Sequence, residues 1–231
     1  MPGGTNGLAR RDEKKNLMDD SIRGDLRAYY DKSAGERDER GIEDWKARER
    51  AAFLALIQSE GKRTLLEIGA GPGRDGKFFQ EAGLEVTCVD LSPEMVARCR
   101  AKGLNALVMD MAHLDFAEES FDAVYSMNSL LHIPKAEFEG VLRSVERILH
   151  PGGLFFIGKY GGIEREGVWE NDPHEPKRFF AFYTDEQLLE KAGAVFAVAA
   201  FRRVVIDPED ELHFQSLTAR KGEGNRARDV Q

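Results

Sequence analysis

Residues 64–75 read TLLEIGAGPGRD, a short apolar run that ends in an acid and is followed by three alternating glycines. The run Thr64–Ile68 has the length of a buried strand. Gly69, Gly71 and Gly73 let the backbone turn sharply and approach a ligand without Cβ clashes. A strand, a glycine loop and a helix in this order are typical of a nucleotide-type ligand at the carboxyl end of a parallel sheet.

The residues around the glycines narrow the kind of ligand. A pyrophosphate-binding loop reads G-x-G-x-x-G, with its third glycine where this chain has Arg74. Glu67 stands two positions before the first glycine, where its carboxylate would repel a pyrophosphate but could position an ammonium group. The loop therefore favours a ligand that carries a cation.

The predicted strands alternate with predicted helices. Asp90 ends an apolar strand about twenty residues after the loop, where a carboxylate can accept hydrogen bonds from ribose hydroxyls. A strand followed by a helix, repeated, predicts a mostly parallel sheet with right-handed crossovers. The glycine loop, Asp90, Asp110 and residues 126–132 would then meet at the carboxyl ends of the strands.

Four further segments, in order, resemble those of the class I S-adenosylmethionine-dependent methyltransferases. Besides the loop, which is similar to the family's motif I, they are 86–92 (VTCVDLS), Asp110-Met111, 121–126 (FDAVYS) and 149–153 (LHPGG). The resemblance covers roughly residues 60–160. It implies a doubly wound, Rossmann-like α/β fold with a mostly parallel seven-stranded sheet, an antiparallel edge strand and N-terminal helices.

The resemblance also implies S-adenosyl-L-methionine as the cofactor. Asp90 would hold the ribose hydroxyls, Asp110 the adenine amino group, and Met111 would cover the adenine ring. Arg74 could instead simply begin the helix after the loop. The predicted cofactor-binding residues are Glu67, Gly69, Ala70, Gly71, Gly73, Arg74, Asp90, Leu91, Asp110, Met111, Asn128 and Ser129.

Candidates for acid–base chemistry come from two parts of the chain. His132 follows the fourth strand, and its imidazole can take a proton near neutral pH, although it could also be a histidine bonded at a helix entry. Tyr29 and Tyr30 lie on an amphipathic helix predicted over residues 21–34, which could cap the cleft or only pack on the domain. Glu170 and His174 are further candidates. Since a sulfonium is already activated, positioning in line could supply most of the acceleration.

We predict a disordered tail over residues 1–20, cap helices over 21–60, a catalytic domain over 61–220 and a polar tail over 221–231. Residues 161–178 show neither the period of a helix nor that of a strand, and a loop of that length is usually functional or disordered. Aromatic residues in and after this loop predict a substrate lid over about 161–183: Trp169, Phe179, Phe180, Phe182 and Tyr183. Lys177-Arg178 could contact a carboxylate or phosphate of the acceptor.

Composition limits the partners. The 231 residues are 42% hydrophobic and 32% charged, and the net charge of −8 argues against nucleic acid and anionic membranes. No apolar stretch approaches the ~20 residues that span a bilayer, and the polar start does not read as a signal peptide. Cys88 and Cys99 are expected to be reduced and buried, with no metal site. We expect a cytoplasmic monomer or homodimer.

The expected reaction is methyl transfer to an oxygen or nitrogen nucleophile of a small metabolite. Residues 128–131 read NSLL, which does not match the Asn-Pro-Pro-aromatic motif of nucleobase amino methylation. A nicotinamide-dependent oxidoreductase is an alternative, because Gly69, Gly71 and Asp90 also fit a dinucleotide fold. A non-catalytic cofactor-binding module is a third possibility.

Overall fold

The computed structural model describes residues 6–223, with side chains from residue 21 onward. The helices are α1 (Asn6–Glu39), α2 (Asp44–Ser59), α3 (Arg74–Glu81), α4 (Pro93–Ala101), α5 (Lys135–Ile148) and α6 (Asp185–Gly193), with a short 3-10 turn at Leu130–His132. The strands are β1 (Thr64–Ile68), β2 (Glu85–Asp90), β3 (Asn105–Val108), β4 (Phe121–Met127), β5 (Leu149–Gly161), β6 (Arg165–Val168), β7 (Phe179–Phe182), β8 (Ala197–Val204) and β9 (His213–Arg220).

Seven strands form one sheet in the order β3-β2-β1-β4-β5-β9-β8. The first five are mutually parallel, and β9 is antiparallel to both β5 and β8. This confirms the predicted fold class. The antiparallel strand lies one place inside the sheet, because β9 enters between β5 and its own partner β8, which forms the edge.

Apolar cores cover both faces of the sheet. Leu65 and Leu66 are neighbours on β1, and the alternation of side chains along a strand sends them to opposite faces. Leu65 packs in the cluster that contains Phe53 of α2 and Phe79 of α3, whereas Leu66 packs in the cluster that contains Phe138 of α5. Because β1 is buried on both faces, its sequence is a continuous apolar run rather than an alternating one.

The first helix differs from the sequence prediction. Helix α1 runs over Asn6–Glu39, so it begins inside the segment predicted as a tail and continues past Ala34, the predicted end. Between these ends the sequence has no proline, and Gly24 and Gly35 are the kind of residue a helix tolerates at a modest cost. Residues 1–5 and 224–231 of the predicted tails lie outside the described residues.

The segment after β5 also contains a strand that the sequence did not predict. Strand β6 pairs antiparallel with β7 in a small sheet of its own, with Arg165 opposite Phe182 and Val168 opposite Phe179. Phe180 on β7 packs with Leu131 and Trp169. Through Leu131, this hairpin packs against the 3-10 turn that follows β4.

Cys88 and Cys99 are both fully buried, as predicted. Within the described chain no helix is long and apolar enough to cross a membrane.

Candidate cofactor and acceptor site

The glycine loop between β1 and α3 packs directly against the turn after β4. The amide of Gly69 donates to the carbonyl of Val89 at 2.8 Å, and Gly69 has a φ of +68°. A Cβ added at this position would overlap the Cβ of Ser129. Ser129 is fixed in turn, because its Oγ donates to the carbonyl of Ile68 at 2.8 Å. Glycine is therefore required for the loop to reach this position.

Asp90 lies at the carboxyl end of β2 and is oriented by two backbone amides. Its Oδ2 accepts from the amide of Gly71 at 2.8 Å, and its Oδ1 accepts from the amide of Ser92 at 2.9 Å. Burial raises the pKa of Asp90, while these two amide bonds lower it. Each oxygen keeps a lone pair for a ligand, which is the geometry needed to accept from ribose hydroxyls.

Two adjoining cavities open at this edge of the sheet. The inner cavity has about 530 Å³ of empty space and the outer cavity about 1000 Å³, in each case including space open to solvent. Residues that line both are Tyr30, Arg37, Asn128 and His132. Nine predicted site residues line the inner cavity: Tyr30, Gly69, Gly71, Asp90, Leu91, Met111, Asn128, Ser129 and His132.

A third, apolar slot continues the inner cavity past Leu91 and Met111. It has about 360 Å³ of empty space and includes Asp110 in its wall. Asp110 is bonded to α1, because Nε of Arg23 donates to its Oδ2 at 2.6 Å, and Arg23 also pairs with Glu137. The apolar side chains of this slot and Asp110 in its wall suit the face and the polar edge of an aromatic ring.

Five predicted site residues do not line these cavities. Arg74 donates to the backbone carbonyls of Arg37 and Arg40, and so holds the C-terminal end of α1. Glu67 is buried beneath the loop, where it accepts a hydrogen bond from Cys88, and burial raises its pKa well above the ordinary value. The other three are Tyr29, Ala70 and Gly73.

Those three have other surroundings. Tyr29 is buried and packs edge-on against Tyr30, with ring centroids 5.0 Å apart. Ala70 belongs to the core cluster under the sheet, and Gly73 precedes α3 with a φ of +81°. Ala70 and Gly73 are part of the glycine loop, and Tyr29 packs against the Tyr30 ring.

Tyr30 and His132 form a hydrogen-bonded pair at the junction of the two larger cavities. His132 Nδ1 lies 2.8 Å from the carbonyl of Phe179, which can only accept, so Nδ1 carries the proton. Nε2 is then the acceptor for the Tyr30 hydroxyl at 2.6 Å. Burial lowers the pKa of His132 to about 4 and raises the pKa of Tyr30. At neutral pH the pair is an uncharged imidazole that accepts from a phenol.

Asn128 supplies the remaining polar group at this junction. It has a φ of +55°, which is uncommon for a residue other than glycine, and its amide donates to the carbonyl of Gly158 at 2.7 Å. Its buried Oδ1 has no hydrogen-bond partner within the described residues. Buried acceptors are nearly always satisfied, so this oxygen is suited to a ligand donor such as an ammonium.

Sequence reasoning missed Leu26, Arg37 and Met127 in the wall of the inner cavity. Arg37 lies two turns after Tyr30 on α1, with its guanidinium 5.1 Å from the centroid of the Tyr30 ring. It forms no ion pair within residues 21–223. A spacing of seven residues from Tyr30 would have placed it on the same helix face, but the predicted helix ended before it.

The outer cavity is walled by the β6–β7 hairpin. Trp169, Phe180 and Phe182 line it on the hairpin side, and Tyr160 lines it from β5. Two further base candidates do not reach it: His174 packs against Tyr29, and Glu170 pairs with Lys177 at the surface.

A glycine loop, a carboxylate after the second strand and an adjoining apolar slot define a nucleotide-binding site of the doubly wound α/β class. Residues 66–157 match the family described as methyltransferase domain. This match covers about two fifths of the chain and agrees with the motifs, which resemble those of the class I S-adenosylmethionine-dependent methyltransferases.

Curated relatives match about half of the chain. A ubiquinone biosynthesis O-methyltransferase of Xanthomonas oryzae pv. oryzae (strain PXO99A) is 33% identical over 110 residues, 45% of each chain. A demethylmenaquinone methyltransferase of Tropheryma whipplei (strain Twist) is 30% identical over 120 residues, 50% of this chain and 49% of the relative. The alignments thus span about half the length of these relatives.

The fold has close counterparts among solved structures. A Burkholderia thailandensis 1,6-didemethyltoxoflavin-N1-methyltransferase, solved with 1,6-didemethyltoxoflavin and S-adenosylhomocysteine, superposes with a TM-score of 0.63. The match covers 96% of this chain and 92% of that one at 24% identity. The two chains share the fold over almost their whole lengths.

Proposed function

We propose that this protein transfers the methyl group of S-adenosyl-L-methionine to an oxygen or nitrogen atom of a small molecule. The observation that carries the proposal is the Tyr30–His132 pair, with 2.6 Å between the hydroxyl oxygen and Nε2, at the junction of the two cavities. A group at this junction would face the cofactor's methyl from one side and the acceptor from the other.

The residues of the inner cavity suit the parts of this cofactor. Asp90 would accept from the ribose hydroxyls, and the slot beside Leu91 and Met111 would take the adenine. The unpartnered Oδ1 of Asn128 would accept from the ammonium group, and Arg37 would bind the carboxylate. The bound cofactor supplies a methyl group that its sulfonium has already activated.

The Tyr30–His132 pair would remove the proton that the acceptor loses. Tyr30 would accept a hydrogen bond from the acceptor while it donates to Nε2 of His132. A pKa of about 4 makes His132 a weak base. A hydroxyl oxygen that is gaining a methyl group becomes much more acidic, however, so a weak base in the correct position is sufficient.

A small acceptor is supported by the outer cavity, whose lining residues come from α1 and from the β6–β7 hairpin. The named relatives act as an O-methyltransferase of ubiquinone biosynthesis and a demethylmenaquinone methyltransferase, and the structural neighbour is an N1-methyltransferase. Of these, the O-methyltransferase and the N1-methyltransferase support an oxygen or nitrogen acceptor of metabolite size.

The test combines binding with transfer. S-adenosylhomocysteine binding would be measured by calorimetry, and methyl-labelled S-adenosylmethionine would be incubated with small-molecule, protein and RNA fractions of a lysate. We expect label in the small-molecule fraction. With the acceptor identified by mass, Tyr30→Phe and His132→Asn should lower kcat about 100-fold. Cofactor affinity should stay within about threefold, because neither change removes a group assigned to the cofactor.

Tyr183→Phe is the matched control. The Tyr183 hydroxyl is buried without a hydrogen-bond partner in the described part of the chain, so its loss should leave kcat unchanged. Label in protein or RNA would overturn the acceptor class, and transfer to no fraction despite binding would favour the non-catalytic alternative. An absence of S-adenosylhomocysteine binding would refute the proposed function itself.

A further inference from the structure

We infer that the acceptor is an aryl compound that carries an anionic group, such as a carboxylate, at the end remote from the methylated atom. This inference rests on the proposed function and concerns the outer cavity. It follows from three features of that cavity: an aromatic wall, ring faces already covered by cations, and basic side chains at the rim.

The aromatic wall favours a flat acceptor. Phe180 and Phe182 are stacked with an interplanar angle of 14°, and Trp169 meets both rings edge-on. Phe180 also packs against the His132 ring, with centroids 4.9 Å apart. An aryl ring that packs against this wall would therefore have one end next to the Tyr30–His132 pair.

The same wall does not form a cage for a cationic acceptor. The guanidinium of Arg178 lies 5.1 Å from the centroid of Phe180, and that of Arg165 lies 5.9 Å from the centroid of Trp169. Arg178 is held there by Asp172, which binds it through both carboxylate oxygens at 2.7 and 3.0 Å. A bound ammonium would have to compete with guanidinium groups that the protein already places on these rings.

Basic side chains at the rim remain available to an anion. Arg40 and Lys46 line the outer cavity, and their partners are the exposed acids Glu36 and Glu43, with side chains 65% and 56% exposed. Exposed ion pairs contribute little to stability, so an anionic ligand can replace these acids easily. Asp210 is the only acidic side chain in the wall, within the part of the chain that the structure describes.

The test uses three phenols of matched size: para-hydroxyphenylacetate, para-ethylphenol and tyramine, which are anionic, neutral and cationic. Binding to the protein saturated with S-adenosylhomocysteine would be measured by calorimetry at neutral pH. We expect para-hydroxyphenylacetate to bind about tenfold more tightly than para-ethylphenol, and tyramine to bind most weakly. The double variant Arg40→Gln/Lys46→Gln should reduce the preference for the anion to below about threefold.

The control variant, Arg48→Gln/Arg143→Gln, removes the same charge from exposed positions outside the cavity and should keep the full preference. Equal affinities for the three phenols, tighter binding of tyramine, or no binding of any phenol would overturn the inference. Equal loss of preference in the control variant would overturn it too, since net charge alone would then explain the effect. Binding of S-adenosylhomocysteine is verified first. If it does not bind, the proposed function fails, and this result is distinct from a failure of the phenols to bind as expected.

Discussion

Substitution of Gly69 by alanine should break the packing between the glycine loop and the turn after β4. A side chain at a φ of +68° costs about 1 kcal/mol. The added Cβ would also overlap the Cβ of Ser129 and lie 2.8 Å from its Oγ. Ser129 is held by hydrogen bonds to Ile68 and Ser126, so relief by movement is restricted, and overpacking adds about 1–3 kcal/mol. We expect Gly69→Ala to lower the free energy of unfolding by about 3 kcal/mol.

Gly71→Ala separates the two contributions. Gly71 has a φ of +55°, but a Cβ there would meet nothing within 4 Å, so the expected loss is only about 1 kcal/mol. Urea denaturation monitored by circular dichroism gives both values. Ser129→Gly removes the obstructing atom, and it should be less destabilising by at least about 1 kcal/mol in the Gly69→Ala background than in the wild type. Equal losses in the two alanine variants, or no such coupling, would refute the packing argument.

Three further predictions concern buried titratable groups and the cofactor. The pKa of His132 is about 4 in the folded protein and 6.5 ordinarily, so between these pH values the unfolded chain binds more protons than the folded one. The free energy of unfolding therefore falls as the pH drops through this range. The contribution of His132 to that fall, about 3 kcal/mol at most, should be absent from acid titrations of His132→Asn. Burial holds the pKa of Lys159 well below its ordinary value, so the unfolded state again binds more protons and stability rises with pH. Lys159→Met should therefore raise the unfolding free energy by about 1–2 kcal/mol at pH 7 and by less near pH 10, and a constant difference in urea titrations would contradict this. Asp90→Asn should weaken S-adenosylhomocysteine binding about tenfold or more in calorimetry, and unchanged affinity would argue against the ribose role.

Local sequence signals were sufficient for the central part of the fold. Strand β1 begins and ends at the predicted residues, Thr64 and Ile68, because Gly69 directly follows the apolar run. Strand β6 has only four residues, too few to show a period, and it exists through its pairing with β7. Helix α1 continues through Gly35, and Arg74 binds the carbonyls of Arg37 and Arg40 at its end, a tertiary contact that no local pattern reveals.

For the candidate site, too, local motifs could be recognised in the sequence, whereas contacts between distant residues could not. The glycine loop, Asp90 and Met111 belong to contiguous motifs and do line the inner cavity. The contact between Tyr30 and His132 joins residues 102 positions apart, and its partners could be suspected individually but not as a pair. Arg37 was missed because the predicted helix stopped too early.

The position of α1 has a kinetic consequence. Arg23 of this helix is bonded to Asp110, the group assigned to adenine, while Tyr30 and Arg37 further along the helix are shared by both cavities. Because α1 forms a wall of both cavities, we expect the cofactor to enter before α1 closes over the acceptor's cavity. Turnover should therefore follow a compulsory order, with the methyl donor entering first and its demethylated product leaving last.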